Sequence, residues 1–384
     1  MPRDFSTNSS LKKNFMIIVS RFSAAGLLGI FWLFVANLLD KSEYGELSYF
    51  VSFATVGSAI ALLGLNKSLV VFGAKKEPFF YDLTFLGIIS STIVSIVSFF
   101  VIHDFLMSLL IFSSSIFFLS ISKLNGEEKF RSYSFHTIFQ RLLGLILSLI
   151  LVPLYGIQGA LFGLVVANFP SFYEMFFLIK SKFVGFYFIR SKLGFILNNY
   201  LIYLISVSFW FGDKIIIGTV YDFTILASYT IASQLIIFFS QFAQSISVYL
   251  LPKESTNKSN KKLKIYAIIF AFVLFVASYA LIDVLIPLIL PQYIDSIHLI
   301  QIMTFSIVPF MIITIIETEL IGKEKGIPVL VGNLIQLSFF SLLVTLNIFS
   351  LGLLSLGLTF VISFLIKLVY LVIIKRTIIE NIGG

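Results

Sequence analysis

Residues Ser206 to Gln244 read SVSFWFGDKIIIGTVYDFTILASYTIASQLIIFFSQFAQ, and the reading of this stretch decides the fold. It is long enough to cross a bilayer twice, at about 20 apolar residues per crossing, with a turn at Tyr221-Asp222. An adjacent acid and base, Asp213 and Lys214, stand inside the first crossing, nearer its outer end. A charge at bilayer depth costs about 2.5–3.5 kcal/mol on insertion scales, so such residues face a protein interior or a wet cavity. On a helix, Ser206, Trp210, Asp213 and Ile217 form one stripe, with Lys214 about 100° round from Asp213. The pair therefore either neutralises itself or lines a cavity, and both readings stay open.

The whole chain resembles this stretch in composition. Of 384 residues, 58% are hydrophobic and 12% are charged, about half the charged share of a soluble globular domain. The 45 Phe and only 9 Pro permit long apolar helices. The absence of Cys excludes disulfides, thiolate catalysis and Cys-ligated metal. A formal charge of +8 would suggest nucleic acid in a soluble protein; here the placement of the charges matters more, and no nucleic-acid partner is expected. The chain has no GxxxxGK[ST] loop, no GxSxG and no HExxH, so neither an intrinsic ATPase nor another enzyme is expected, and no cofactor. His103, His136 and His298 are scattered at span ends without metal-ligand spacing.

Hydropathy predicts twelve spans: 14–38, 46–71, 80–102, 105–122 (short and serine-rich), 133–155, 157–179, 198–220, 223–250, 265–290, 297–321, 327–349 and 351–374. The front, MPRDFSTNSSLKKN, is polar and basic, with no small-residue cleavage site after the first apolar run, so a retained anchor is expected. On alternate sides of these spans, one side receives 22 of the 27 Lys and Arg, and the other receives only Lys41. Arg21, Arg141, Lys214 and Lys367 complete the set inside spans. This asymmetry follows the positive-inside rule, and one missing span would destroy it. Both termini are therefore expected on the cytoplasmic side of the membrane. The opposite loops are only a few residues long, leaving no room for an external domain.

The two halves repeat. LSYFVSF (Leu47 to Phe53) matches ASYTIAS (Ala227 to Ser233), and Gly126-Glu127-Glu128-Lys129 matches Gly322-Lys323-Glu324-Lys325. Gly156-Ile157-Gln158-Gly159-Ala160 likewise matches Gly352-Leu353-Leu354-Ser355-Leu356. Six spans per copy is even, so the copies share one orientation. The expected fold is an all-α integral membrane protein: two six-helix bundles related by a pseudo-two-fold axis normal to the membrane. Residues 1–180 form the first half, 181–197 a cytoplasmic linker and 198–384 the second half.

Helical projection then asks which polar residues share a face. In span 12, Thr359, Ser363, Lys367 and Tyr370 form a polar stripe around an unpaired lysine, which either lines a cavity or snorkels towards the cytoplasmic interface. In span 5, Thr137, Arg141, Gly144 and Ser148 line one face, and span 1 carries Arg21. Span 8 carries Gln234, Gln241 and Gln244, amides that either bind sugar hydroxyls or hold helices together. Glu174 in span 6 is a candidate counter-charge for Arg141 or Lys367. Glu317 and Glu319 stand about 200° apart and cannot share a cavity. Ionisable residues in so many spans point to a passage rather than a scaffold.

Three stretches carry a family resemblance. ANLLDKSEYGELSYFVSF (Ala36 to Phe53) resembles the first-hairpin signature of bacterial polysaccharide flippases, AR-x-L-G-P-x-x-Y-G-x-Y. The chain departs from it at Asn37, where Arg is usual, and at Lys41-Ser42, where Gly-Pro is usual. DKIIIGTVYDFTILASYTIASQL (Asp213 to Leu235) resembles their seventh-helix pattern, and LIGKEK (Leu320 to Lys325) their turn after helix 10. The likeness runs through essentially the whole chain. It implies the O-antigen/exopolysaccharide branch of the multidrug/oligosaccharidyl-lipid/polysaccharide exporter superfamily, moving an undecaprenyl-pyrophosphate-linked oligosaccharide between leaflets by alternating access. Under that resemblance, Arg21, Arg141, Lys214 and Lys367 would meet the pyrophosphate, and Gln234, Gln241, Gln244 and Trp210 the sugars. Asp213 or Glu174 would couple to an ion. Expected partners are the lipid-linked oligosaccharide, membrane lipids, and the glycan polymerase and chain-length proteins of such a pathway. The alternatives are an ion-coupled multidrug antiporter of the same superfamily and a membrane glycan polymerase or ligase. Arg21 without an acid in span 1 argues against the first, and the short external loops argue against the second.

Overall fold

A computed structural model describes residues 23–77, 80–176, 190–255, 260–323, 325–346 and 352–383. Arg21 and the rest of the basic leader lie outside these residues, as do 181–189 of the linker, Glu324 and the turn Phe349-Ser350. Every regular element among the described residues is helical, with no sheet.

Nine of these helices are long and apolar enough to cross a membrane singly. Helices Lys41–Ala61 and Leu65–Ala74, bent by 49° at Gly64, together make a tenth. Two more spans emerge from the backbone. The stretch Phe130–Met175 would be about 69 Å long as one straight helix, more than twice the hydrocarbon thickness. It is broken at Gly156, whose φ of 55° and ψ of −134° are not helical. A β-carbon on Gly159 would stand 2.3 Å from the Leu151 carbonyl oxygen, so the chain doubles back there with backbone against backbone, and spans 5 and 6 are separate. Helix Ser23–Leu38 is the described part of span 1. The protein is thus an all-α integral membrane protein of twelve joined helices. Gly352, the counterpart of Gly156 in the repeat, also has a positive φ, 59°. The two sequence copies therefore turn on the same left-handed glycine.

The chain forms two compact units, and their boundaries do not coincide with a simple cut between spans 6 and 7. The first comprises the residues up to Leu39 and Tyr49–Val207; the second comprises Asp40–Ser48 and Ser208–Gly384. Span 2 therefore begins in the second unit and ends in the first, and span 7 runs from the first into the second. The first unit is centred on Leu62, Leu65, Leu69, Leu83, Leu119 and Met175. The second is built around aromatic side chains: Phe364 packs on Phe209, Phe310 and Phe360 at centroid distances of 5.6, 5.9 and 4.9 Å. Among the nine long apolar helices, spans 4 and 10, which correspond in the repeat, are the most enclosed, while spans 3 and 9 are among the least. Apolar residues on the outer spans, such as Val101 and Leu288, are exposed to the surroundings. In hydrocarbon they need no cover, because lipid tails are as apolar as they are.

Asp40–Ser48 is bound tightly into the second unit. Lys41 pairs with Asp295 and lies 5.3 Å from the Tyr293 ring centroid. Tyr44 packs edge-on against Tyr293, and the Ser48 and Thr230 hydroxyls are 2.8 Å apart. Lys41 is thereby neutralised by an acid from the turn before span 10. Gly45 admits no side chain: a β-carbon would stand 1.8 Å from the Phe223 carbonyl oxygen. Gly45→Ala is expected to force spans 2 and 8 apart at a cost of about 3 kcal/mol. Thermal unfolding in detergent checks this, and an unchanged midpoint would contradict the packing. Span 8 itself starts at Asp222, whose carboxylate accepts hydrogen bonds from the Thr224 hydroxyl and the Ile225 N–H. The Thr224 bond, then the Ile225 bond, hold that carboxyl below the usual range.

Candidate functional site

The polar residues inside the spans fall into separate groups, and each is described within its own unit. In the second unit, Asp213 and Lys214 are 4% and 2% exposed. The Lys214 ammonium donates to Asp213 Oδ1 at 3.4 Å and to the Trp210 carbonyl at 3.2 Å. Tyr229 donates its hydroxyl to Asp213 Oδ2 at 2.7 Å, and the Lys214 N–H donates to Oδ1 at 2.7 Å. Phe211 and Tyr229 present their rings to the ammonium at 5.8 and 5.9 Å. Lys214 is thus neutralised by its neighbour and enclosed by aromatic side chains. Trp210 is half-buried against Phe310.

Lys367 is not a lone cation. It forms an ion pair with Glu317 at 2.8 Å and donates to Asn333 Oδ1. The helical projection saw only one helix and could not see the acid on span 10 or the amide on span 11. Glu319, two residues on from Glu317 and hence on another face, joins Lys264 and Lys375, and Lys264 also meets Glu254 at 2.8 Å. The two glutamates thus serve different lysines, as their angular separation requires. In span 8, Gln234 and Gln241 are half-buried and Gln244 is exposed.

In the first unit, Glu174 serves neither Arg141 nor Lys367. It faces Lys123, which is 3.4 Å from its carboxylate and donates to its carbonyl at 3.2 Å. Lys123 belongs to the end of span 4, which extends through Gly126, so the acid meets a base that sequence counting places in a loop. Glu127 takes Lys129 at 2.8 Å, a bond that raises the Lys129 ammonium above its usual range.

Arg141 differs from the others. Of the four in-span cations, Lys214 and Lys367 are paired and Arg21 lies outside the described residues; Arg141 has no carboxylate partner among the described residues. It lines a small cavity with Phe31 of span 1, Gln140, Gly144 and Leu145 of span 5, and Leu164 of span 6. Beside it, Gln140 donates to Asn168 Oδ1 at 3.1 Å, and Asn168 donates to Ser113 and Ser114 at 3.1 and 3.3 Å. Sequence reading passed over Gln140 and Asn168; the adjacent Gln140-Arg141 pair within a span and the serine-rich span 4 were the available signals. Among the described residues no group of three or more His, Asp or Glu is placed to hold a metal ion.

The architecture recurs in solved membrane transporters. A transporter of the MOP superfamily from Pyrococcus furiosus Vc1, described by a reverse polarity of its binding pocket that suggests a different function, aligns with a TM-score of 0.68 at 16% identity. That alignment covers 97% of this chain and 96% of the other. An inward-facing multidrug resistance MATE family transporter of the same superfamily aligns at 0.66 and 15% identity, over 94% and 95% of the two chains. The lipid II flippase MurJ aligns at 0.62 and 13% identity, over 96% and 87%. No protein-family model and no curated protein matches the sequence. The fold is therefore similar to that of these transporters, MATE-like and MurJ-like.

Proposed function

We propose that this chain is an alternating-access transporter whose cargo is anionic: an undecaprenyl-pyrophosphate-linked oligosaccharide, moved from the cytoplasmic to the outer leaflet of a bacterial inner membrane. The supporting observation is Arg141. Inside a span, a guanidinium without an acid is costly and is the group suited to bidentate capture of a phosphoryl oxygen pair. Asp213, Glu174, Glu317 and Glu319 are each held by a lysine, which leaves none of these four carboxylates free for a cationic drug. In this reading residues 1–180 and 198–384 are the repeated halves of the transporter, the basic side and both termini are cytoplasmic, and the glycan polymerase and chain-length proteins are downstream partners.

Ion-coupled multidrug antiport is the second reading, favoured by the similar inward-facing and outward-facing structures of a multidrug resistance MATE family transporter. The likeness to a superfamily member of reversed pocket polarity, and to a lipid II flippase, supports cargo of another charge on the same fold. Deleting the gene separates the two. Glycolipid export requires that surface glycan is lost and its lipid-linked precursor accumulates on the inner leaflet. Drug export instead requires unchanged glycan and greater retention of cationic dyes, and that result would overturn the proposal.

A further inference from the structure

A second cavity, of about 590 Å³, lies in the first unit at the basic-side ends of spans 2, 3 and 4, a size typical of small-molecule sites. Helices Leu65–Ala74 and Phe105–Gly126 both end there. Two glycines bring them together: a β-carbon on Gly73 would stand 2.9 Å from the Gly126 Cα. The two C-termini present backbone carbonyls, the negative ends of their helix dipoles. Each helix is closed by a residue at positive φ that is not glycine, Lys76 at 54° and Glu128 at 56°. The Glu77 N–H donates back to the Phe72 carbonyl and the Lys129 N–H to the Leu124 carbonyl, a closure in which glycine is favoured. Both turns thus keep a charged residue where glycine would be less strained, and both of these residues line the cavity.

The lining carries three carboxylates, Glu77, Glu127 and Glu128, and one ammonium, Lys76. Glu127 is taken by Lys129 at 2.8 Å and by Lys123 at 3.9 Å. Lys76 and Glu77 have no ion-pair partner among the described residues. An adjacent cation and anion, together with helix-end carbonyls, match a ligand that has an N–H-bearing cation close to an anion. Phe80 and Tyr81 complete the wall with apolar surface. Tyr81 also opens an exposed apolar stripe on span 3, followed at spacings of four by Phe85, Ile89 and Ile93. The stripe runs about 18 Å from the cavity, close to the half-thickness of about 15 Å that one acyl chain crosses. A soluble zwitterion would leave this stripe unused, whereas a lipid would cover it. We propose that the cavity binds the headgroup of an aminophospholipid, a phosphodiester carrying a primary ammonium, from the leaflet on the basic side. Lys76 meets the phosphate, Glu77 and the helix-end carbonyls take the ammonium, and an acyl chain lies along span 3. The assignment does not depend on the cargo.

The test follows thermal unfolding of the full-length protein in detergent while phospholipids with identical acyl chains and ethanolamine, choline or glycerol headgroups are added. A ligand that binds the folded state raises the midpoint as its concentration passes its dissociation constant. The ethanolamine lipid is expected to act at about tenfold lower concentration than the choline lipid, whose methylated ammonium donates no hydrogen bond. The glycerol lipid, which has the phosphate without the cation, should do no better than the choline lipid. Glu77→Gln should cut the preference for ethanolamine over choline about fivefold, the upper range for a partly exposed charge. Lys76→Gln should weaken both lipids alike, since both carry the phosphate. Soluble glycerophosphoethanolamine, the same headgroup without chains, should leave the midpoint unchanged at these concentrations. Equal potency of the ethanolamine and choline lipids, or a preference for the glycerol lipid, would overturn the site. So would a preference unchanged in Glu77→Gln, or an equal response to the soluble headgroup. Each of those outcomes leaves the transport reading above untouched.

Discussion

Lys214→Ala is expected to destabilise the second unit by about 3–5 kcal/mol, the usual cost of removing one partner from a buried ion pair. Asp213 and Lys214 are nearly inaccessible, and the carboxylate is held by the ammonium, the Tyr229 hydroxyl and one backbone N–H. Truncating the lysine removes the one full positive charge opposing the carboxylate among the described residues and opens a void against Phe211 and Tyr229. Any loss of transport in this variant would follow from loss of folded protein. The double variant Asp213→Asn, Lys214→Met separates charge from shape. It leaves no net charge, keeps an acceptor for Tyr229, and is expected to return to within about 1 kcal/mol of the original, since a buried pair replaced as a unit is often close to neutral. Thermal unfolding and the monodisperse fraction in detergent measure both. If Lys214→Ala melts where the unmodified protein does, the pair is not the structural element its geometry describes.

Arg141→Ala is expected to give the opposite signature. With no carboxylate partner among the described residues, its removal leaves no orphaned acid. The melting temperature should hold or rise, because an uncompensated cation inside a span has been deleted. Transport should fail. Truncating one partner of a desolvated charge pair costs about 2–5 kcal/mol, so under the proposed function the appearance of glycolipid in the outer leaflet should fall by about thirtyfold or more. Arg141→Lys should recover part of it, a point charge without the planar fork. The measurements are outer-leaflet glycolipid and protein abundance in the same cells. Normal export by Arg141→Ala, at normal abundance, would remove the cation from the mechanism.

The contrast between these two residues marks where sequence reading reached its limit. Lys214 and Arg141 are alike on paper, each a cation within an apolar run with polar residues at helical spacing. Their expected behaviour differs because of what the neighbouring helices present. Tyr229 comes from span 8 to close the Asp213 site, and Glu317 and Asn333 come from spans 10 and 11 to take Lys367. Glu174, a plausible partner for Arg141 by position along the chain, instead turns to Lys123 at the end of span 4.

The chain by itself determined the number of crossings, the all-helical class, the repeat and the one-sided distribution of basic loops. These depend on properties that are local or additive along the backbone. A crossing needs about 20 apolar residues, sidedness depends on charges counted loop by loop, and a turn at Gly156 or Gly352 depends on one residue's freedom at positive φ. Tertiary structure decided which charges are matched, that span 2 begins in one compact unit and ends in the other, and that Arg141 lines a small cavity with no carboxylate opposite it among the described residues. A helical projection gives the direction of a side chain but not what stands opposite it. Inside a membrane, where water cannot pair a buried charge, the opposite group decides whether that charge is a structural tie or a binding site.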